Sequence, residues 1–256
     1  MFLTPRQAEI VELAKVQGRI LVEDLAARFS VSAQTIRKDL NDLCDRQLLN
    51  RIHGGATFPS STENMQYEAR RKIAAQEKQA IGLAAAGLIP NNASLFINIG
   101  TTTEAVGEAL TDHQEMMVIT NNINVANRLR ILPSIEVIIA GGVVRGSDGG
   151  IVGEAAVDFI RQFKVDFAVI GASAIDADGA LLDFDFREVK VAQAIIANAR
   201  HVILVADSTK FERTAPVRIG QITQVKTFIT DSCPIPSLRR LCHENGVELI
   251  ETNPAN

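Results

Sequence analysis

The sequence predicts an α/β protein in two parts, a winged helix-turn-helix followed by a doubly wound, mostly parallel α/β domain. Three observations carry that prediction. Residues 1–58 hold three short amphipathic segments and two strand-like runs around a Gly-Gly pair. From residue 94 onward, near-continuous apolar runs alternate with helical segments, the pattern of a parallel sheet covered on both faces. Between them lies Pro59-Ser60-Ser61-Thr62-Glu63-Asn64, polar and without apolar periodicity. The expected division is a DNA-binding domain over 1–58, a linker and the start of a connecting helix over 59–76, and an effector domain over 77–256. A chain of 256 residues is long enough for two ordinary domains.

Thr4-Pro5 reads as a helix cap and first helical residue, with Ile10, Leu13 and Ala14 on one face and Gly18 as the stop. Leu25, Ala26 and Phe29 set a second helix over 22–29 that ends at Ser30-Val31. Ser32 caps a third, on which Ile36, Leu40 and Leu43 face inward and Gln34, Thr35, Arg37, Lys38 and Asn41 face outward. Runs at 48–52 and 56–58 around His53-Gly54-Gly55 read as a hairpin, the wing. Residues 67–88 read as one long helix. Strands are expected at 95–99, 117–120, 137–140, 167–171, 202–206, 228–230 and 247–250, with helices near 103–110, 124–129, 154–163, 187–198 and 236–245.

Composition narrows the function. The hydrophobic share of 46% and charged share of 22% are those of a globular chain and exclude a disordered or fibrous one. The longest apolar stretch, 80–89, is about half of the ~20 residues that span a bilayer, so a cytoplasmic protein without a membrane partner is expected. Cys44, Cys233 and Cys242 form no C-x-x-C and read as buried thiols. The net charge of −4 divides unevenly: residues 1–58 hold eight basic and seven acidic side chains, so the excess acid lies in the second half. That balance supports DNA binding weakly, because phosphate affinity comes from clustered cations.

On the third helix, Arg37 suits a bidentate contact to guanine and Gln34 one to adenine, while Ser32 and Lys38 suit backbone phosphates. Arg51 and His53 of the wing would touch the backbone or minor groove. A solvated helix face is the plainer alternative. In the second half, Gly100-Thr101-Thr102-Thr103 follows an apolar strand and opens a helix, placing free N–H groups and hydroxyls where a phosphate could sit. Asn121-Asn122, Gly141-Gly142 with Arg145, and Asp207-Ser208-Thr209-Lys210 follow other strands at the same sheet edge, where ligands of such sheets bind. Asp185 and Glu188, in the acid-rich loop 183–188, suit polyol hydroxyls, or the loop is exposed with two buried rings. Neither a Walker loop nor a dinucleotide fingerprint occurs, so no cofactor is expected. His113, His201 and His243 lack metal spacing, and no catalytic residue and no metal site are expected.

These residues resemble the DeoR-type bacterial repressors over nearly the whole length. Val31-Ser32-Ala33-Gln34-Thr35-Ile36-Arg37-Lys38-Asp39-Leu40-Asn41-Asp42-Leu43, then Arg51-Ile52-His53-Gly54-Gly55-Ala56, is similar to the family's DNA-binding signature, with Ala33 where a proline is usual. The second half is similar at Ile99-Gly100-Thr101-Thr102, Thr120-Asn121-Asn122, Ala140-Gly141-Gly142 and Ala206-Asp207-Ser208-Thr209-Lys210-Phe211. Asp148-Gly149-Gly150-Ile151-Val152-Gly153-Glu154-Ala155 and the 183–188 loop resemble the branch that responds to glycerol 3-phosphate.

The resemblance implies a repressor of operator DNA, relieved by a phosphorylated polyol or sugar, with glycerol 3-phosphate favoured, and acting as a homodimer or homotetramer. The family's second half is also similar to ribose-5-phosphate isomerase. Where those enzymes carry D-G-A-D-E, this chain has Ile170-Gly171-Ala172-Ser173-Ala174, so both aspartates are gone, and the catalytic lysine has no evident counterpart. Proton transfer between carbons needs those groups; phosphate recognition does not. The alternatives are another sugar phosphate as effector, an active isomerase tethered to DNA, or a DNA-bound interaction platform without a ligand.

Overall fold

The computed structural model describes residues 3–17, 19–46, 48–52, 54–57 and 67–253, and the chain divides into two compact units, Met1–Glu63 and Asn64–Asn256.

In the first unit the three expected helices form, at Pro5–Gln17, Val22–Phe29 and Ala33–Asp45. The first opens on a reciprocal cap: the Gln7 N–H donates to Thr4 Oγ1 at 3.2 Å and the Thr4 N–H donates to Gln7 Oε1 at 3.0 Å. The second ends where Ser30 takes a left-handed conformation at φ 51°, which turns the chain into the third. Ile10, Ala14, Leu25, Ile36, Leu40 and Leu43 meet in the core. Two ties align the outer helices, Arg6 Nε to Asp39 at 2.6 Å and Gln7 Nε2 to Asp42 at 2.8 Å.

The expected hairpin forms and gains a strand. Its strands Asn50–Ile52 and Gly55–Thr57 are joined by a third, Arg19–Leu21, on the other side of Gly55–Thr57, and all pairings are antiparallel. Three residues are too few to show alternation, which hides that strand in the sequence. Gly55 is needed there because a Cβ would stand 2.0 Å from the Ile20 carbonyl oxygen. His53 and Phe58 lie outside the described residues.

The second unit is built on a seven-stranded sheet holding all seven expected strands. The order is Glu248–Glu251, Thr227–Thr230, Ala199–Val205, Val165–Ile170, Ser94–Ile97, Met116–Thr120, Ile135–Ile139, with every pairing parallel. Alternation splits the core in two. Leu95, Ile97, Val169 and Ile203 pack under Ala75–Gly87 and Thr101–Ala109, while Phe96, Ala168, Ile170 and Leu204 pack under Glu154–Ile160 and Phe186–Ala197. From the centre the chain winds first to the Ile135–Ile139 edge and then to the Glu248–Glu251 edge, so its direction reverses between Ser94–Ile97 and Val165–Ile170. A crevice at the carboxyl ends of those two strands is where such sheets take ligands.

The expected single helix over 67–88 is instead two, Tyr67–Lys72 and Ala75–Gly87. Ala74 at φ 49° breaks them, and the buried Lys78 ammonium accounts for the break by donating to the Arg70 and Ile73 carbonyls at 2.5 and 2.7 Å. A cation there satisfies orphan carbonyls at a helix end. Also unanticipated are an antiparallel sheet of Ala174–Ile175, Ala180–Asp183 and Val217–Gln221, and the pair Val143–Val144 with Ile151–Val152. Several of these strands have two residues, below any readable period.

Candidate functional site

The third helix of the first unit presents Ser32, Gln34, Arg37, Lys38 and Asn41 as exposed and Thr35 as half-buried, while Ile36 and Leu40 behind them are fully buried. Ser32 sets its start, accepting from the Thr35 N–H at 3.1 Å and lying 2.9 Å from the Thr35 hydroxyl. In the wing Arg51 is exposed, and its charge and hydrogen bond on Cys44 oppose the rise that burial gives that thiol. Cys44 is half-buried, unlike the buried Cys233 and Cys242.

In the second unit, the loops at the carboxyl ends of the strands converge. Gly100 begins Thr101–Ala109, whose first-turn N–H groups have no intrahelical acceptor. The Thr103 hydroxyl is spent locally, donating to the Asn98 and Gly100 carbonyls at 2.7 and 2.8 Å. Beside this loop, a Cβ on Gly171 would be in contact with Thr103, the Ile99 carbonyl and the Val205 carbonyl. Gly150 approaches so closely that a Cβ would lie 2.5 Å from Ile99 Cδ1.

One corner of this edge is cationic. Asp207 is fully buried; its Oδ1 accepts from the N–H and hydroxyl of Thr209, while Oδ2 has no hydrogen-bond partner and faces the Lys78 and Lys210 ammoniums, each at 3.9 Å. Burial pushes Lys210 down to about 8 against the pull of Asp207, and lowers Lys78 for the same reason. Arg70 and Arg213 add positive potential at both lysines. Two other buried acceptors without donors, Asn98 Oδ1 and Asn121 Oδ1, stand at the ends of neighbouring strands.

The other corner is acidic. Arg145 donates to Asp148 at 2.7 and 2.8 Å, lies 2.6 Å from Glu188 and 3.2 Å from Asp185, and its guanidinium is thereby held by three carboxylates. Arg70 donates to the same Asp148 oxygen, Oδ2, at 3.1 Å. Burial raises both Asp183 and Glu188, the latter to about 8 with the Asp183 charge adding to the rise. Asp185 caps Phe186–Ala197 and is lowered to about 2 by the Arg187 hydrogen bond. The 183–188 loop does not bury two rings, since Phe186 is 61% exposed.

The structure therefore brings Gly100, Thr101, Thr102, Asn121 and Lys210 to one sheet edge but gives others of the set structural duties. Asn122 caps Ile123–Leu129 and donates to Glu104 at 3.0 Å. Gly141 and Gly142 are exposed. Sequence reasoning missed Lys78, Arg70 and Asn98. A lysine in an otherwise apolar helical face was the readable signal for Lys78; the others emerge only when distant segments meet.

Comparison with known proteins fits both halves. The model of the DeoR-like helix-turn-helix domain matches residues 6–62, and that of the DeoR C terminal sensor domain matches residues 73–232. The glycerol-3-phosphate regulon repressor of Escherichia coli is 47% identical over 96% of this chain and 98% of its own. That of Haemophilus influenzae is 48% identical over 90% and 89%. Among solved structures, ribose 5 phosphate isomerase A from Neisseria gonorrhoeae is similar at a TM-score of 0.40 and 12% identity, covering 53% of each chain. Among the described residues, no helix is long and apolar enough to cross a membrane. With both of its halves matched by DeoR models and nearly half its residues shared with named repressors, the chain belongs to the DeoR family and is a transcriptional repressor, not an enzyme.

Proposed function

We propose that this repressor reads operator DNA with the third helix and wing of its first unit, and lets go when a phosphorylated polyol, glycerol 3-phosphate in particular, binds the sheet edge of the second. Ser32, Gln34, Thr35, Arg37, Lys38 and Asn41 form the groove-facing set, with Arg51 and His53 on the backbone side. The protein acts in the cytoplasm as a homodimer or homotetramer, since paired half-sites call for a symmetric reader.

The observation that carries the effector reading is the Lys78–Asp207–Lys210 corner. Two buried ammoniums share one buried carboxylate at ion-pair distances too long for hydrogen bonds, and the nearby Thr101–Ala109 helix starts on Gly100. A phosphate there gains two charge-assisted bonds and the N–H groups of the helix start. The unpartnered oxygens of Asn98 and Asn121, with Asp183, supply acceptors for hydroxyls. The E. coli and H. influenzae relatives are named for a glycerol-3-phosphate regulon, which favours that compound among phosphorylated polyols.

Thermal unfolding against glycerol 3-phosphate, glycerol, inorganic phosphate and a panel of sugar phosphates tests the reading. A ligand at 100 times its dissociation constant adds about 2.7 kcal/mol, a rise of several degrees. A rise with glycerol 3-phosphate and none with glycerol is expected. A rise confined to another sugar phosphate replaces the effector, and a flat response to every phosphorylated compound rejects the phosphate site.

A further inference from the structure

Arg70 sits where the two corners of the effector edge meet. Its guanidinium holds Asp148 at 3.1 Å on the acidic side, and its charge is felt by Asp183. On the other side it raises the positive potential at Lys78, Lys210 and Arg213. Its side chain is 12% exposed, and its buried Nε has no hydrogen-bond partner. A buried guanidinium nitrogen without an acceptor is costly, and an oxyanion in reach would relieve that cost.

The helix that carries Arg70, Tyr67–Lys72, is the first described element of the second unit, and so the element nearest in sequence to the first. It is fastened by residues of the same edge. Tyr67 donates to Glu104 at 2.7 Å and accepts from Asn124 at 2.9 Å, Glu104 lying in the first turn of the Gly100 helix. Lys78 grips its last carbonyls through the same ammonium that faces Asp207.

We infer that Arg70 is the positioning residue that couples the effector site to the linker: an anion seated at Lys78 and Lys210 draws the Arg70 guanidinium from Asp148, and the Tyr67–Lys72 helix moves with it. This rests on the phosphate reading above. The anion competes with Asp148 for one guanidinium while also competing with the Arg70 and Ile73 carbonyls for the Lys78 ammonium, so two of the three anchors of the helix loosen on the same event. Coupling arises because the ligand binds the arrangement with the helix released more tightly than the one with it docked.

The test compares two quantities in the full-length chain: the dissociation constant for glycerol 3-phosphate by calorimetry, and the concentration that half-releases a duplex selected by the protein from a random pool. Their ratio isolates coupling, because a change that only weakens binding moves both together. In Arg70→Met the ratio should rise about 5- to 150-fold, the usual span of a coupling between sites. Arg70→Lys, which keeps the charge and most of the length, should recover part of the release. Lys210→Met should lose calorimetric binding itself. Arg70→Met releasing DNA at the same fractional occupancy as wild type overturns the coupling role and leaves the phosphate site standing. Absence of calorimetric binding to wild type removes the phosphate reading and this inference with it. If Arg70→Met does not fold, Arg70→Gln, which keeps a polar side chain but no charge, carries the test, and a ratio equal to wild type again overturns it.

Discussion

The proposed DNA-reading face and the proposed effector edge hold their charges in opposite ways. Arg37 and Lys38 stand in solvent on a helix fixed from behind by Ile36 and Leu40. Lys78, Lys210, Arg70 and Arg145 are largely withdrawn from water and are balanced by Asp207, Asp148 and Asp185. Exposed charges are screened and act nearly independently, so a reading residue can change without disturbing the fold. Buried ones depend on each other, so each carboxylate at the effector edge serves stability and recognition together. The molecule thus pairs an adjustable surface with a mutually constrained interior.

The difference is easiest to break at Asp207. Asp207→Asn keeps the shape but leaves two buried ammoniums unbalanced, and should cost about 3 to 5 kcal/mol and lower the melting temperature by on the order of 10 °C. An unchanged melt would mean the corner is not the tightly balanced site described. Arg37→Ala should do the reverse, costing ~1 to 3 kcal/mol of specific DNA binding at fixed salt with no change in melting. A melting shift there would erase the contrast. The pH response sharpens it further. Lys210, held down to about 8 by burial, must be protonated to meet an anion, so effector binding takes up a proton above that pH. Affinity should therefore fall as pH rises through about 8, by up to about 1.4 kcal/mol per unit, and also fall below the second phosphate pKa of about 6. Calorimetry across that range in wild type and Lys210→Met checks it; a flat alkaline limb excludes Lys210. The smallest effect is expected from Ser32→Ala, whose lost cap should lower the stability of the first unit by about 1 kcal/mol, read by chemical denaturation.

Legibility in the sequence followed the same division. The third helix was readable because its period separates Ile36, Leu40 and Leu43 from the outward set within a few consecutive residues, and Ser32 marks its start. The seven core strands were readable as apolar runs. The effector edge was only partly so. Loops after strands were locatable, hence Gly100, Asn121 and Lys210, but pairing across 78 residues, as Arg70 with Asp148, leaves no local trace. Arg145 read as a source of positive charge because Asp185 and Glu188, which hold it, stand at the start of the distant Phe186–Ala197 helix. The helix break at Ala74 was invisible because its cause is Lys78, four residues on, reaching back to two carbonyls.

The central claim, that an anion at the sheet edge governs DNA binding by the first unit, is tested most directly by titrating glycerol 3-phosphate into the full-length protein bound to its selected duplex at fixed salt and pH 7. The account predicts release that saturates with ligand, with no release by glycerol at the same concentration. Duplex occupancy that stays constant through ligand concentrations shown by calorimetry to fill the site would contradict it.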